Sequence, residues 1–166
     1  GLLDIGCYCV SSSRWICDRE PGRVIGLFDK DPSFGTDRLA SGILDFGNGL
    51  QASFTCSTQV APYQRINILG THGRVEIDIP FNAPPDRPCR VSLYPGTHSD
   101  QGRFEPAESQ VLDMDICDQY TLQGEAISLA ILNDEPVPYG LEDAVGNMRT
   151  LEALRQSNES SAWIVP

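Results

Sequence analysis

Apolar residues recur along this chain with two periods, and the changes of period mark out its elements. From Leu2 to Cys17 they return at the three- and four-residue spacing of one helix face, and the pattern stops at Asp18 and Pro21. Runs with the two-residue period of strands follow at 23–29, 38–46, 50–59, 63–70, 73–79 and 89–94, with a short one near 109–113. Helical spacing comes back at 118–133 and 141–157. The second of these opens on Leu141, Glu142 and Asp143, whose acids favour the positive end of the helix dipole. The tail Ala162-Trp163-Ile164-Val165 reads as a short returning strand.

Turn residues join these runs. Gly47-Asn48-Gly49 and His72-Gly73 connect neighbours tightly enough for antiparallel hairpins, whereas Pro80 to Pro88 and Tyr94 to Ala107 read as loops rich in Gly, Ser and Pro. Strands in the middle with helices at both ends predict an α+β fold, a largely antiparallel or mixed open-faced sheet with helices packed on one face. At 166 residues and 40% hydrophobic, residues 1–166 are expected to form one domain with a real core.

Strand 50–59 divides its residues sharply. Leu50, Ala52, Phe54, Cys56 and Thr58 fall on one face, and Gln51, Ser53, Thr55, Ser57 and Gln59 on the other. That second face is polar yet uncharged, which suits a surface covered by another polar surface as well as an ordinary wet one.

Charge narrows the partners. The chain carries 23 acidic and 12 basic side chains, a formal net charge of −11, and no Lys/Arg stripe that could neutralise phosphates, so nucleic acid and anionic membrane are excluded. No apolar stretch approaches the roughly 20 residues that span a bilayer, and a soluble, cytoplasmic protein is expected. Six cysteines, Cys7, Cys9, Cys17, Cys56, Cys89 and Cys117, are read as small buried thiols. Cys7 and Cys9, two apart on a helix, point to different sides, so no metal site is expected. His72 and His98 have no ligand partners at useful spacing and are read as surface histidines in a turn and a polar loop.

Asp4 and Tyr8 are the candidate chemistry. Four residues apart on a helix, they bring a carboxylate and a phenol to one face, where one group could hold an alcohol while the other exchanges its proton. Each also has a plainer use, Asp4 as an N-terminal helix acid and Tyr8 as a half-buried aromatic with a satisfied hydroxyl. Gly6 between them costs roughly 1 kcal/mol relative to Ala in a helix, which a close approach of another backbone or a cofactor would explain.

The run Leu3-Asp4-Ile5-Gly6-Cys7-Tyr8 followed by Arg14-Trp15 resembles the Asp-x-Gly-x-(His or Tyr) helix of the glucose-fructose oxidoreductase / inositol dehydrogenase (Gfo/Idh/MocA) family, in its Tyr-type branch. The resemblance continues through Leu39–Phe46, Gly70–Ile77, Phe81–Pro85, Asp118-Gln119-Tyr120 and Leu141–Ala144. It spans nearly the whole chain as the family's C-terminal, substrate-side domain. It implies an NAD(P)-dependent dehydrogenase transferring a hydride between nicotinamide and a sugar or polyol hydroxyl. Tyr8 would be the catalytic proton donor or acceptor, Asp4 a substrate-binding residue and Asn82 a specificity contact. The family's use of the open sheet face adds a homo-oligomer to these expectations.

One element of the family pattern is missing. No Gly-x-Gly-x-x-Gly turn joins a strand to a helix here, and the Glu-Lys-Pro motif whose lysine assists the proton relay is absent. The chain is therefore expected to lack the Rossmann domain that would hold most of the NAD or NADP, and to be inactive alone. A phenolate beside the Asp4 carboxylate would need a cationic group to offset it, which the family draws from the other domain. The alternative reading is a non-enzymatic association domain with a vestigial Asp-Tyr pair.

Overall fold

The computed structural model describes residues Gly1–Pro166, in two compact units. The first joins Gly1–Ala61 to Pro138–Pro166, and the second is Pro62–Val137.

In the first unit a π-helical turn, Leu2–Gly6, runs into α1, Cys7–Cys17. Three antiparallel strands follow, β1 (Arg23–Lys30), β2 (Asp37–Gly47) and β3 (Leu50–Ser57), in the order β1-β2-β3. The β2–β3 hairpin turns on Gly47, Asn48 and Gly49, all at positive φ as the sequence predicts. After the second unit the chain returns as α3, Leu141–Ser160. Val10 of α1, Val24, Ala40, Leu44, Phe46 and Cys56 of the sheet, and Leu151, Ala153 and Leu154 of α3 close one core. Alternation decides which side of each strand enters it, because successive side chains point to opposite faces.

α3 reaches β1 closely, and the contact is specific. A Cβ on Gly26 would lie 2.8 Å from the Leu154 carbonyl oxygen, so only a glycine admits the helix there. The outer edge of β1 is satisfied in the same region. Its N–H groups at Val24, Gly26 and Phe28 donate to the Ile164 carbonyl (2.8 Å), Ser157 Oγ (3.0 Å) and Asn158 Oδ1 (2.7 Å). Ile164 pairs back with Val24 as an isolated bridge, the returning tail expected from the sequence. An edge covered in this way has no free N–H row to recruit another strand.

In the second unit, β4 (Arg65–Gly70), β5 (Gly73–Asp78), β6 (Arg90–His98) and β7 (Phe104–Pro106) form an antiparallel sheet, with β8 (Gln110–Asp113) also paired to β6. Register aligns Ile66, Ile77, Val91 and Leu112 in one apolar row across it. The opposite face carries Arg65 on Asp78 (2.6 Å) and Arg74 stacked 3.9 Å over Tyr94. α2, Gln119–Asn133, starts on Asp118, whose carboxylate accepts from the Tyr120 N–H (3.0 Å) and the Thr121 hydroxyl (2.9 Å). Two sequence readings change here. β6 runs through His98, which the sequence placed in a polar loop, and Phe104–Pro106 of that loop is a strand whose Phe104 ring meets the His98 ring edge-on at 5.5 Å. No helix is long and apolar enough to cross a membrane.

α1 is tied to its surroundings through Arg14, only 6% exposed. Its Nε and Nη2 donate to the two Glu20 oxygens at 2.7 and 2.6 Å, and Nη1 lies 3.0 Å from Asp143 Oδ1 at the start of α3. The hydrogen bonds from Arg14 hold the Glu20 carboxyl below its ordinary value of 4.5. This pair therefore contributes fully above about pH 4.5, and its contribution is lost as acid protonates Glu20. Thermal midpoints measured across that range should fall with acid in the wild type and fall less in Glu20→Gln.

Candidate active site

The first turn of the opening helix is wider than an α-turn. The Gly1 carbonyl accepts from the N–H of Asp4 (3.2 Å), Ile5 (2.8 Å) and Gly6 (3.3 Å), and the Leu2 N–H donates to the Asp37 carboxylate at the start of β2. Single π-turns of this kind recur at functional sites, since they re-aim a side chain without ending the helix. Asp4 sits in the π-turn and Tyr8 in the first turn of α1, both exposed, Tyr8 to 54%.

Gly6 gives this turn its seat. A Cβ there would come within 2.8 Å of Leu2 Cδ1 and 3.1 Å of Cys56 Sγ on β3. The close approach anticipated at Gly6 is thus made by two side chains of the first unit, and it presses the face of the helix opposite Tyr8 onto the sheet. Arg14, two turns on, then fixes the helix to Glu20 and to α3. In the sequence Arg14 stands only as part of the family resemblance, and nothing among the polar positions of α1 marks it as buried or ion-paired.

Asn82 belongs to the second unit. It is exposed in the Pro-rich loop, where its N–H and that of Phe81 both donate to Gln64 Oε1 at 3.3 Å, while Gln119 Nε2 donates to the Phe81 carbonyl at 3.3 Å. Asp4 and Tyr8 share one helix face, and Asn82 is held by a separate set of contacts.

Of the six cysteines read as buried thiols only Cys56 is fully buried; Cys7, Cys9, Cys17 and Cys89 are partly exposed and Cys117 is exposed. Burial raises Cys7, Cys9 and Cys17, and pushes Cys56 up to about 11, with nearby Cys9 adding to the effect. No group of three or more His, Cys, Asp or Glu side chains is gathered to hold a metal ion.

On the other side of the first sheet the register builds an ordered open face. Arg23, Asp45 and Gln51 form one row across it, then Ile25, Ile43 and Ser53, then Leu27, Ser41 and Thr55. Leu27 is 77% exposed and Ile43 40%, Ser41 and Thr55 are joined hydroxyl to hydroxyl at 2.8 Å, and the last two rows line a shallow depression of about 570 Å³. The β3 half is polar and uncharged, as its sequence predicts. Its neighbours add an apolar patch and an Arg23–Asp45 ion pair of 2.8 Å.

This α+β domain, with an Asp-x-Gly-x-Tyr helix on one side of its sheet, is similar to that of a family of oxidoreductases. The family model for the GFO/IDH/MocA C-terminal domain matches residues 1–76, which bears out the resemblance to that family. It is 37% identical over 162 residues to an uncharacterized oxidoreductase of Rhizobium meliloti, which covers 98% of this chain and 47% of that protein. A D-xylose 1-dehydrogenase (NADP(+)) of Haloferax volcanii is 28% identical over 168 residues, again 98% of this chain and 47% of the relative. The crystal structure of an aldose-aldose oxidoreductase from Caulobacter crescentus complexed with glycerol superposes with a TM-score of 0.78 at 21% identity, over 99% of this chain and 47% of that one. The chain thus spans about half the length of the curated relatives it matches.

Thiol chemistry gives a direct check of the packing. Only the thiolate alkylates, so iodoacetamide at pH 8 should label exposed Cys117 first and leave Cys56 unmodified until the protein is unfolded, as read by peptide mass.

Proposed function

We propose that this chain is the substrate-side domain of an NAD(P)-dependent oxidoreductase that transfers a hydride between nicotinamide and a sugar or polyol hydroxyl. The observation that carries this reading is the pairing of Asp4 and Tyr8, exposed on one face of a helix that begins with a π-turn, in a chain that resembles this family. In the oxidative direction, Tyr8 Oη takes the proton of the reacting hydroxyl. The Asp4 carboxylate accepts a hydrogen bond from a substrate hydroxyl and so fixes the ring's orientation. Gly6 and Arg14 hold the helix so that phenol and carboxylate keep their spacing.

A bound nicotinamide ring supplies the hydride acceptor. The pyrophosphate of such a cofactor finds no cradle in these elements. The one passage from strand directly to helix, Met114–Asp118, contains no glycine. What the chain contributes is the substrate's proton and the substrate's orientation, and the cofactor is assigned to the remaining half of the parent protein.

The open face of the first sheet fits an isologous contact between two copies of the chain. Ile25, Leu27 and Ile43 would form its apolar centre, with Ser41, Ser53 and Thr55 supplying hydrogen bonds beside them.

Two measurements on the full-length parent test these assignments. Tyr8→Phe should lower kcat by 10²–10⁴, the usual contribution of one acid-base group, and activity within threefold of wild type would remove Tyr8 from the mechanism. Ile43→Asp should shift the sedimentation coefficient to that of a monomer at micromolar concentration, while an unchanged profile would place the contact elsewhere.

A further inference from the structure

The exposed face of α1 continues beyond the Asp4–Tyr8 pair. Asp4, Tyr8, Ser11 and Trp15 recur at the spacing that places side chains on one helix face, and Trp15 is 64% exposed. The other side of the same helix holds Val10 and Arg14, both buried. The rise of an α-helix sets Tyr8 and Trp15 about 10 Å apart along the axis, which is farther than one sugar ring reaches and within reach of a second ring linked to it.

We propose that Trp15 is the floor of a second subsite, binding the neighbouring ring of a glycoside or disaccharide whose reacting ring lies at Asp4 and Tyr8. This rests on the reading of those two residues given above. An indole offers a flat apolar surface with one N–H donor at its edge, and the C–H faces of a pyranose stack on such a surface while their hydroxyls bond at the rim. Hydroxyls line the gap between the two rings. Ser12 Oγ donates to the Cys9 carbonyl at 3.1 Å, and its oxygen is left to accept from a ligand O–H. Ser11 is half-buried between Tyr8 and Trp15.

Charge defines the ligand further. Arg14 is the one basic side chain of α1, and its guanidinium is turned into the contacts with Glu20 and Asp143. The exposed face of α1 carries no cation of its own, exposed Arg19 lying beyond the helix's end, and the Asp4 carboxylate repels a phosphate beside it. The ligand that suits this face is neutral and polyhydroxylated.

The experiment compares one-ring and two-ring substrates on the full-length parent enzyme: D-xylose against xylobiose, and D-glucose against cellobiose. Trp15→Ala should raise KM for the disaccharides at least tenfold while leaving KM and kcat for the monosaccharides within twofold, and Trp15→Phe, which keeps a flat ring, should recover most of the loss. Equal effects on both classes, or no effect on either, would overturn the second subsite. So would a change confined to KM for the nicotinamide nucleotide, which would make Trp15 a contact of the cofactor-binding half. Turnover of no sugar by the unaltered parent would overturn the functional reading itself. Turnover without any dependence on ring number would overturn this inference alone.

Discussion

The packing of α3 against β1 is the constraint on which the rest of the first unit depends. Leu151, Ala153 and Leu154 fill the space above the sheet, and Gly26 lets the Leu154 carbonyl come within van der Waals reach of the strand. Ser157 and Asn158 take the edge N–H groups that would otherwise lie open. The opening helix then rests on a surface that α3 has completed, with Gly6 pressed against Cys56 and Arg14 bonded across to Asp143. The placement of the candidate site is thus set by residues far from it in the chain. Removing a methyl group under α3 would loosen the helix that carries Tyr8 without touching the phenol.

Two faces of this unit are exposed for different reasons. On the helix side the exposed groups are chemically mixed: a carboxylate, a phenol, serines and an indole. Such a mixture suits a small polar ligand that also has apolar faces. On the open side of the sheet the exposed groups are aliphatic in the middle and hydroxylic beside it, a composition that suits the proposed contact between copies. A helix layer on one side and an open sheet on the other allow both uses at once, because alternation along each strand sends neighbouring residues to opposite faces.

Most of the fold was legible in the sequence because its strands alternate cleanly. In β3, Ala52, Phe54 and Cys56 turn inward and Gln51, Ser53 and Thr55 outward, as the two-residue period requires. The Gly47-Asn48-Gly49 turn was equally plain. The losses have physical causes. β7 lies among Gly, Ser and Pro residues that ordinarily mark loops, and its three residues are too few to establish a period. The π-turn was hidden because a spacing of four residues brings Asp4 and Tyr8 together whether the first turn is π or α. Arg14 resembles any polar residue on a surface helix, and one of its partners, Asp143, comes from the far end of the chain. Asp4 and Tyr8 themselves were found through a motif, whereas Trp15 was quoted only as part of the resemblance, and its exposure on their face became plain with the helix in place.

The first unit is discontinuous in the chain, and this shapes how the protein can be made. β1, β2 and the opening helix are made before the second unit, but the layer that buries their apolar face comes only after it, with α3. Closing so long a loop carries an entropic cost that no local contact offsets beforehand. Until then, Val24, Ala40 and Leu44 face water, and β1 lacks the groups that protect its edge. The nascent chain is therefore most exposed to misassociation during translation of the second unit, and whatever shields it in that interval must act on the first sheet.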